Sequence, residues 1–505
     1  MRARWIGIVA VLSTLLVGGL PATVTSGAAE AETGSFELVG HDPLLNRGMN
    51  AALAVHGDYA YVGSRTDSKP ENINRAGILI VDISDPASPE VAGEIAGETQ
   101  AQEGETSREM RVWPEQDLLI VQNLGSNCSY LIHACSPRAV EDNFRFYDIS
   151  GENAADPKLV AELDPTYDPH EFFLWDDPLV PGRALLFASA VPDRRITVID
   201  ISNAREGEVS EILSWRSPVA ASLHSMGVSN DGTRAYIAHL TGGFIVVDTS
   251  DVATGQPNPE FRVVTPNANR VSWEGPGAHS AVKLFGRPYA LITDEVYGES
   301  LRWNGGHGCP WGWVRMVDIQ DPSAPEVISE YRLAQNDPST CPIPPIEAPG
   351  EAGRSEGGAA QAKIFSCASD AALLAPDQPR PFTSYASHNP TLTKNIAFIS
   401  WHSGGLQAVS LADPHNMTQL AEFIPEPELL AVQEDPALSL GQDKVVMWSY
   451  PIIKDGLIYV VDIRNGLYIL KYSGAFEEEV TGSDFLEGNS NLGAALEFEP
   501  VDTSD

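Results

Sequence analysis

A short, apolar unit recurs along this chain and constrains its fold more than any other feature. The clearest copy, GILIVDISDP, occupies Gly77–Pro86 and is followed, with varying fidelity, by six further copies in the 505-residue chain. These copies are Phe144–Ser150, Ile196–Ser202, Gly243–Ser250, Val314–Pro322, Gly405–Pro414 and Gly466–Tyr472. Valine and isoleucine favour strands, whereas the flanking Gly, Asp and Pro mark turns. Repetition of this kind predicts one modular array instead of several independent domains.

Each copy stands among other short strand signals. One strand is predicted just before the copy, as at Ala60–Gly63, and another before that, as at Ala51–Val55. A fourth follows, as at Glu90–Ile95, and helix signals are nearly absent. Seven units of four antiparallel strands predict an all-β fold, a seven-bladed β-propeller.

The two ends of the array predict how its ring closes. The seventh unit ends at Tyr472 without a fourth strand, while a lone strand, Ser35–Gly40, precedes the first unit. We expect this N-terminal strand to complete the last blade, which removes a free sheet edge. The predicted propeller covers residues 32–473, with a Pro- and Gly-rich loop at 334–380 and an acidic, disordered tail at 474–505.

The repeats resemble those of the LVIVD-repeat family of exported β-propeller proteins. The resemblance is carried by Ile80–Pro86 (IVDISDP), Val198–Ser202 (VIDIS), Val246–Asp251 (VVDTSD) and Met316–Pro322 (MVDIQDP). It implies the propeller architecture and export, and it implies little about activity. The sixth and seventh copies depart from the pattern with Ser410 and Leu470 at the aspartate position, so we interpret that aspartate as a turn residue.

The N-terminal segment 1–31 reads as a secretory signal peptide. Arg2 and Arg4 precede an apolar run, Trp5–Leu20, and small residues follow it. The run is short for a membrane span, which needs about 20 residues. We therefore expect the mature chain to be secreted or held in the cell envelope, without a membrane span, and a retained anchor is the alternative.

The charge of the chain excludes one class of partner. The net charge is −37, and clustered cations are what phosphate binding requires. We expect no nucleic-acid partner, and instead an extracellular protein, a glycan or a small molecule bound by a monomeric chain. Export also permits disulfides. Among five cysteines, we expect Cys128 to pair with Cys135 in one loop, and we favour a Cys309–Cys341 pair, on one face of the same blade, which leaves Cys367 free.

Four histidines occupy one position of the repeat. His170, His224, His279 and His388 each stand at or near the entry to the first strand of four successive blades. In a propeller the first strands line the central channel, so these side chains should meet at one mouth. Imidazole binds copper, zinc, iron and nickel, which predicts a metal site, with copper or zinc as its ion. The alternative is that each histidine only caps its strand by hydrogen bonding.

The ends of the second strands should surround the same mouth. The residues of interest there and in the neighbouring loops are His239, Trp401, His402, Glu171, Trp303 and His307. Glu295 belongs to the wider polar set at the strand ends and is not singled out. His402 or Glu171 is placed to move protons, and tryptophans in a rim loop stack on a sugar or form the small core of the loop.

These patterns leave two functions of different class. The first is a non-enzymatic binding module that presents the strand-one entries to an extracellular partner. The second is a metal-dependent, copper-type oxidoreductase with a histidine cluster at the channel mouth. The histidine placement resembles that of the selenium-binding protein and methanethiol oxidase group, where channel histidines bind copper. A G-x-S-x-G elbow, a P-loop and an H-E-x-x-H motif are all missing from the sequence.

Overall fold

A computed structural model gives the fold of this protein. It describes residues 34–65, 77–95, 106–124, 142–191, 193–273, 275, 277–295, 312–337, 384–435, 438–439 and 443–501. The predicted signal segment, all five cysteines, Trp303, His307 and most of the 334–380 loop lie outside the described residues.

The described strands form seven antiparallel sheets arranged as a propeller ring, which confirms the predicted fold. The first described strand is β1 (Ser35–Asp42), and blade one contains β2 (Asn50–His56), β3 (Tyr59–Ser64), β4 (Ile78–Asp82) and β5 (Glu90–Ile95). Blade two contains β6 (Thr106–Trp113), β7 (Leu118–Leu124), β8 (Asn143–Asp148) and β9 (Lys158–Leu163). Blade three contains β10 (Phe172–Asp176), β11 (Ala184–Ala190), β12 (Arg195–Asn203) and β13 (Glu208–Arg216). Blade four contains β14 (Ser225–Val228), β15 (Arg234–His239), β16 (Gly243–Asp248) and β17 (Arg262–Val263). Blade five contains β18 (Ala278–Lys283), β19 (Tyr289–Asp294), β20 (Val314–Asp318) and β21 (Glu326–Tyr331). Blade six contains β22 (Pro390–Leu392), β23 (Ile396–Ser400), β24 (Leu406–Ser410) and β25 (Thr418–Phe423).

The seventh blade closes the ring. It comprises β26 (Ile452–Lys454), β27 (Leu457–Asp462) and β28 (Gly466–Ser473), with β1 paired antiparallel to β28 from Ser35 opposite Ser473 to Asp42 opposite Leu467. The N-terminal strand thus supplies the missing fourth strand, as predicted. This pairing joins the first described strand to the last blade and so closes the ring.

The repeat copies are the third strands of the blades, and their aspartates shape turns. The carboxylates of Asp82, Asp148, Asp200 and Asp248 each accept a hydrogen bond at 2.9 Å from the backbone N–H two residues later. This is the Asx turn, in which the side chain replaces a backbone acceptor. The repeat aspartate therefore shapes the turn after the third strand, which lies away from the channel. This is the turn role that its absence from copies six and seven predicts.

The core consists of apolar layers between neighbouring blades. Buried side chains of blades three and four form one such layer, and those of blades seven and one form another. The first strands contact one another around the ring and line the central channel. We call the face where they begin the entry face, and the face with the turns between first and second strands the turn face.

The C-terminal segment corrects one prediction. Residues 474–501 are ordered and packed, with α2 (Glu477–Thr481), β29 (Phe485–Leu486) and α3 (Ala494–Phe498), whereas α1 (Ser250–Ala253) lies in blade four. Val480, Leu486 and Leu492 are buried. The expectation of a disordered tail was wrong for these residues because the acids alternate with aliphatic side chains that the propeller covers.

This segment lies across the turn face. β29 adds to the edge of β26, and Ser490 bridges to Leu174 of β10. The side chain of Asn491 donates to the backbone of Asp176, and that of Asn230 donates to two carbonyls of the segment. The turn-face mouth of the channel is therefore covered by the chain's own C-terminal residues. Within the described residues, the helices are all too short or too polar to cross a membrane.

Candidate metal centre

The blade geometry brings the four predicted histidines to the entry-face mouth. Their backbones continue the first strands: the N–H groups of His170, His224 and His388 donate to carbonyls at the ends of the adjacent second strands, at 2.7, 2.9 and 2.9 Å. His279 is the second residue of β18, where a register shift interrupts the pairing with β19. Bulges of this kind redirect side chains near functional sites.

The imidazole rings follow one another around the mouth. Ring centroids are 4.4 Å apart for His170 and His224, 4.0 Å for His224 and His279, and 4.3 Å for His279 and His388. His402, from the loop after β23, continues the series at 5.1 Å from His388. The prediction that these residues converge is thus met in the geometry, and we call the set the histidine arc.

Two glutamates lie inside the arc. Glu171 Oε1 is 3.7 Å from His224 Nδ1 and 3.8 Å from His279 Nε2. Glu295 Oε2 is 3.4 Å from His279 Nε2, while its Oε1 is 3.5 Å from His388 Nε2 and 3.8 Å from His402 Nε2. Each carboxylate therefore faces at least two imidazoles.

These separations differ from those of hydrogen-bonded ion pairs. An N–H···carboxylate bond between charged groups measures about 2.7–2.9 Å. Two ligand atoms that each lie about 2.0–2.2 Å from a tetrahedral ion are about 3.3–3.6 Å apart. Distances of 3.4–3.8 Å between nitrogen and oxygen match the second arrangement better than the first.

Hydrogen bonds on the outer nitrogens fix three of the rings, those of His279, His388 and His402, whereas His170 Nε2 and His224 Nε2 lie 2.9 Å apart and bond each other. His388 Nδ1 lies 2.8 Å from the carbonyl oxygen of Trp448, which can only accept, so Nδ1 carries the proton. The Nε2 atom of His388 faces Glu295 Oε1 at 3.5 Å. The Nδ1 atoms of His279 and His402 contact hydroxyls of Ser280 and Ser384, at 2.8 and 2.9 Å. Outer partners of this type orient histidine ligands in metal sites.

The environment keeps His402 neutral. Complete burial, and then the nearby charge of Arg65, lower the pKa of His402 to about 3. Its backbone has a positive φ of 29°, an uncommon conformation for a residue with a Cβ. Such backbone strain persists where surrounding structure holds a residue in place, often at functional sites.

Trp448 forms a wall of the arc. Its ring lies 4.0 Å from His388 and stacks on His402 at 5.7 Å with an interplanar angle of 6°. The guanidinium of Arg65 sits 4.5 Å above the same indole, and it is paired with the buried Asp435 at 3.2 Å. Indole and guanidinium together restrict the movement of the two rings.

A polar layer connects the arc to the C-terminal segment. The Ser280 hydroxyl lies 3.4 Å from the Tyr450 hydroxyl, and the Arg111 guanidinium lies 5.0 Å from the Tyr450 ring. Arg111 pairs with Glu109 at 3.2 Å, and Glu487 of the C-terminal segment is 3.9 Å from it. Burial raises the pKa of Glu487 to about 7.

Solvent reaches the arc only in part. Glu171, His279, His388 and His402 have 0% exposed surface, whereas His170 and Glu295 are half-buried. The exposed members lie at the entry face, opposite the covered turn face. A small molecule that approaches the arc therefore meets His170 and Glu295 first.

Some predicted site residues lie elsewhere. His239 is buried beside Ser217, 3.0 Å from its hydroxyl, and burial lowers its pKa to about 3. Trp401 is buried in the core and donates its indole N–H toward Asn336 and the carbonyl of Tyr385. Both side chains are buried and make structural contacts, and neither is exposed at the rim of the channel.

The sequence named most of the arc but did not single out Glu295. This glutamate follows the last residue of β19, where polar loop ends are common in every blade. Its distinguishing feature is its contact with His279, His388 and His402, which come from different strands. Three sets of donor atoms within 4.8 Å of one another result among the described residues: His170, Glu171, His224; His224, His279, Glu295; and Glu295, His388, His402.

Comparison with known proteins adds family and fold information. A family model described as LVIVD repeat matches residues 47–96 and 224–259, which confirms the resemblance read from the repeats. No curated protein matches the chain. Solved structures include Chaetomium thermophilum Sqt1, at 14% identity and TM-score 0.43, covering 85% of this chain and 86% of that one. Sqt1 bound to the N-terminus of the ribosomal protein L10 has 14% identity, TM-score 0.42 and coverages of 91% and 98%.

A further similar structure is the Myceliophteria thermophila Cps50 (Swd1) β-propeller domain, at 9% identity and TM-score 0.44, covering 88% of this chain and 99% of that domain. We draw no functional conclusion from likenesses at this level. The histidine arc is the feature of this chain that bears on its function.

Proposed function

We propose that this LVIVD-repeat propeller binds transition-metal ions in the histidine arc and uses them on a small molecule that enters from the entry face. The observation that carries the proposal is the spacing of imidazoles and carboxylates. Five nitrogen–oxygen pairs at 3.4–3.8 Å are longer than hydrogen bonds and fit neighbouring ligands of one ion.

The capping interpretation accounts for less of the geometry. The ring of His388 does bond a backbone carbonyl, that of Trp448, but the backbone hydrogen bonds at the strand entries are made by the N–H groups of His170, His224 and His388. The rings instead turn toward one another and toward Glu171 and Glu295.

The donor set narrows the choice of metal. The arc offers imidazole nitrogens and carboxylate oxygens, which suit zinc, copper(II), iron and nickel. The proposal takes zinc or copper as the bound ion. In its copper form the centre would serve as an oxidoreductase, and in either form Trp448 and Arg65 hold His388 and His402 in place.

Metal content of the full-length, untagged chain tests this function. After dialysis against a chelator, we expect copper(II) or zinc(II) to rebind stoichiometrically. Paramagnetic copper(II) should also quench tryptophan fluorescence, because the ring of Trp448 lies 4.0 Å from that of His388. His224→Gln with His279→Gln should reduce the bound metal per chain by at least half. His415→Gln, whose ring contacts Tyr289 away from the arc, is the matched control and should bind normally.

A folded wild-type chain that stays metal-free under these conditions would contradict the proposal. Equal metal content in the arc variant and the control would contradict it as well, because the metal would then be bound elsewhere.

A binding module is the second candidate, and one surface favours it. The loop between β25 and β26 carries Leu429, Leu430 and Val432, which are 95%, 76% and 61% exposed. Backbone bonds from Val432 and Gln433 to Asn46 and Arg47 hold this loop at the entry face. Exposed apolar residues beside acidic ones favour a partner with apolar and basic side chains.

Peptide binding separates this candidate from the first. We expect an amphipathic basic peptide to bind, and its acidic counterpart not to bind, in a fluorescence anisotropy titration. Leu429→Ser with Leu430→Ser should weaken binding about tenfold, a difference of about 1.4 kcal/mol. Leu179→Ser with Val180→Ser removes exposed apolar residues of another loop and should leave it unchanged. Equal binding by all variants would reject this surface as the site.

A further inference from the structure

We propose that the arc holds two metal ions bridged by Glu295. The inference rests on the proposed function and adds the number of ions and the role of one carboxylate. It starts from the three sets of donors that the described residues form. The first set (His170, Glu171, His224) and the last (Glu295, His388, His402) share no residue, which separates two places where an ion can be held.

Each outer set has the form of a reactive metal site. Catalytic zinc sites commonly have three protein ligands and keep a further position for water or substrate. The first set gives two imidazoles and a carboxylate, and so does the last. His170 and Glu295, the half-buried members, lie one in each set and leave each open position accessible from the entry face.

The orientation of Glu295 supports a bridge. Its two oxygens face different partners: Oε2 is 3.4 Å from His279 Nε2, and Oε1 is 3.5 Å from His388 Nε2. A carboxylate with one oxygen on each of two ions, about 3.5–4 Å apart, is typical of two-metal sites. Glu295 is therefore assigned as the residue that couples the ions, with His279 beside the bridge.

A single ion accounts poorly for the same residues. Zinc and copper take four to five ligands, but the arc brings five imidazoles and two carboxylates together among the described residues. Consecutive ring centroids are 4.0–5.1 Å apart from His170 to His402, so the rings form a row and not a shell around one point. A row of donors matches two adjacent ions.

Copper loading followed by metal analysis and electron paramagnetic resonance tests the inference. We expect two copper(II) ions per full-length chain and a resonance signal smaller than the copper content, because bridged ions couple magnetically. His170→Gln with His224→Gln should leave one ion and restore a full signal. His388→Gln with His402→Gln should do the same from the other end of the arc.

Glu295→Gln tests the bridge itself. The amide keeps the shape of the side chain, and we expect either loss of one ion or recovery of the full signal from two uncoupled ions. Glu109→Gln, a buried acid outside the arc, is the control and should keep the coupled pair. Circular dichroism and thermal denaturation identify any variant that fails to fold, and zinc stoichiometry then repeats the test on the variants that do.

The outcomes distinguish this inference from the function on which it depends. One ion per wild-type chain, lost in both double variants, would overturn the two-ion inference and leave metal binding intact. Wild-type chain without bound metal would overturn both. Two ions with a full resonance signal in the wild type would reject the bridge by Glu295.

Discussion

The two mouths of one channel are built in opposite ways. At the entry face, imidazoles and carboxylates from several blades converge at distances that suit metal ligands. At the turn face, a continuous C-terminal segment seals the channel with aliphatic side chains, asparagines and one added strand. The first mouth concentrates groups whose burial is costly, and the second contributes burial and hydrogen bonds. We therefore assign the proposed function to the entry-face mouth and a stabilising role to the turn-face mouth.

Removal of residues 474–505 should have the largest effect. The truncation removes the buried side chains of Val480, Leu486 and Leu492 and exposes the propeller residues that they cover, and each buried aliphatic side chain contributes about 1.5–3 kcal/mol. The total is of the order of the whole stability of a typical domain. We expect little folded protein, measured by soluble yield and thermal denaturation. Glu478→Gln with Glu497→Gln, both exposed acids, should change the melting temperature little. A truncated chain as stable as wild type would refute the sealing role.

One variant at the turn face and one at the entry face should separate the effect on stability from the effect on metal binding. Leu486→Ala at the turn face leaves a cavity and should cost about 2–5 kcal/mol with unchanged metal content. His388→Gln with His402→Gln at the entry face should remove one of the two ions and cost less in metal-free stability. Chemical denaturation and metal analysis of the same samples provide the comparison. Loss of metal in Leu486→Ala at full folding would show that the two mouths are coupled.

The buried Glu487 should make stability depend on pH. Burial raises its pKa from 4.5 to about 7, so folding favours the protonated form. This contribution is fully present below pH 4.5 and is lost as the pH rises through about 7, a change of about 3 kcal/mol. Glu487→Gln should flatten the dependence of unfolding free energy on pH across that window, measured with urea. An unchanged slope would indicate that Glu487 remains ionised beside Arg111.

The smallest effect is expected at Asn230. Its amide donates to the carbonyls of Ala495 and Glu499, both at 2.8 Å, and so ties blade four to the C-terminal segment. Asn230→Ala should cost about 1–2 kcal/mol. Asn269→Ala removes an exposed amide with a bond to the Ser323 carbonyl at 3.1 Å and serves as the control. Equal stability of the two variants would mean that these bonds add nothing to the seal.

The difference between the mouths also explains what the sequence could predict. The blades repeat locally: apolar runs mark strands, and aspartates such as Asp82 and Asp248 mark the turns that follow. Histidines at one repeat position are then placed by register, which is how His170 to His388 were found. Glu171 and His402 were named from their places beside the strand entries and ends.

The C-terminal segment follows no repeat, and its partners are distant in sequence. Asn489 donates to the carbonyl of Phe172, 317 residues earlier, and Lys283 pairs with Glu499 at 2.6 Å. Its acidic composition is typical of a disordered tail, whereas the contacts that order it come from blades three, four, five and seven. The sequence does not single out Glu295 for a related reason, since the partners of this glutamate lie on different blades.

Anomalous X-ray diffraction from crystals of the metal-loaded chain tests the central claim most directly. Data collected above and below the absorption edge of copper or zinc locate the ions without reference to stoichiometry. The account predicts two anomalous peaks at the entry-face mouth, about 2.0–2.2 Å from ligand atoms of His170 and His224 and of His388 and His402. Crystals of loaded, folded protein without anomalous density inside the histidine arc would contradict it.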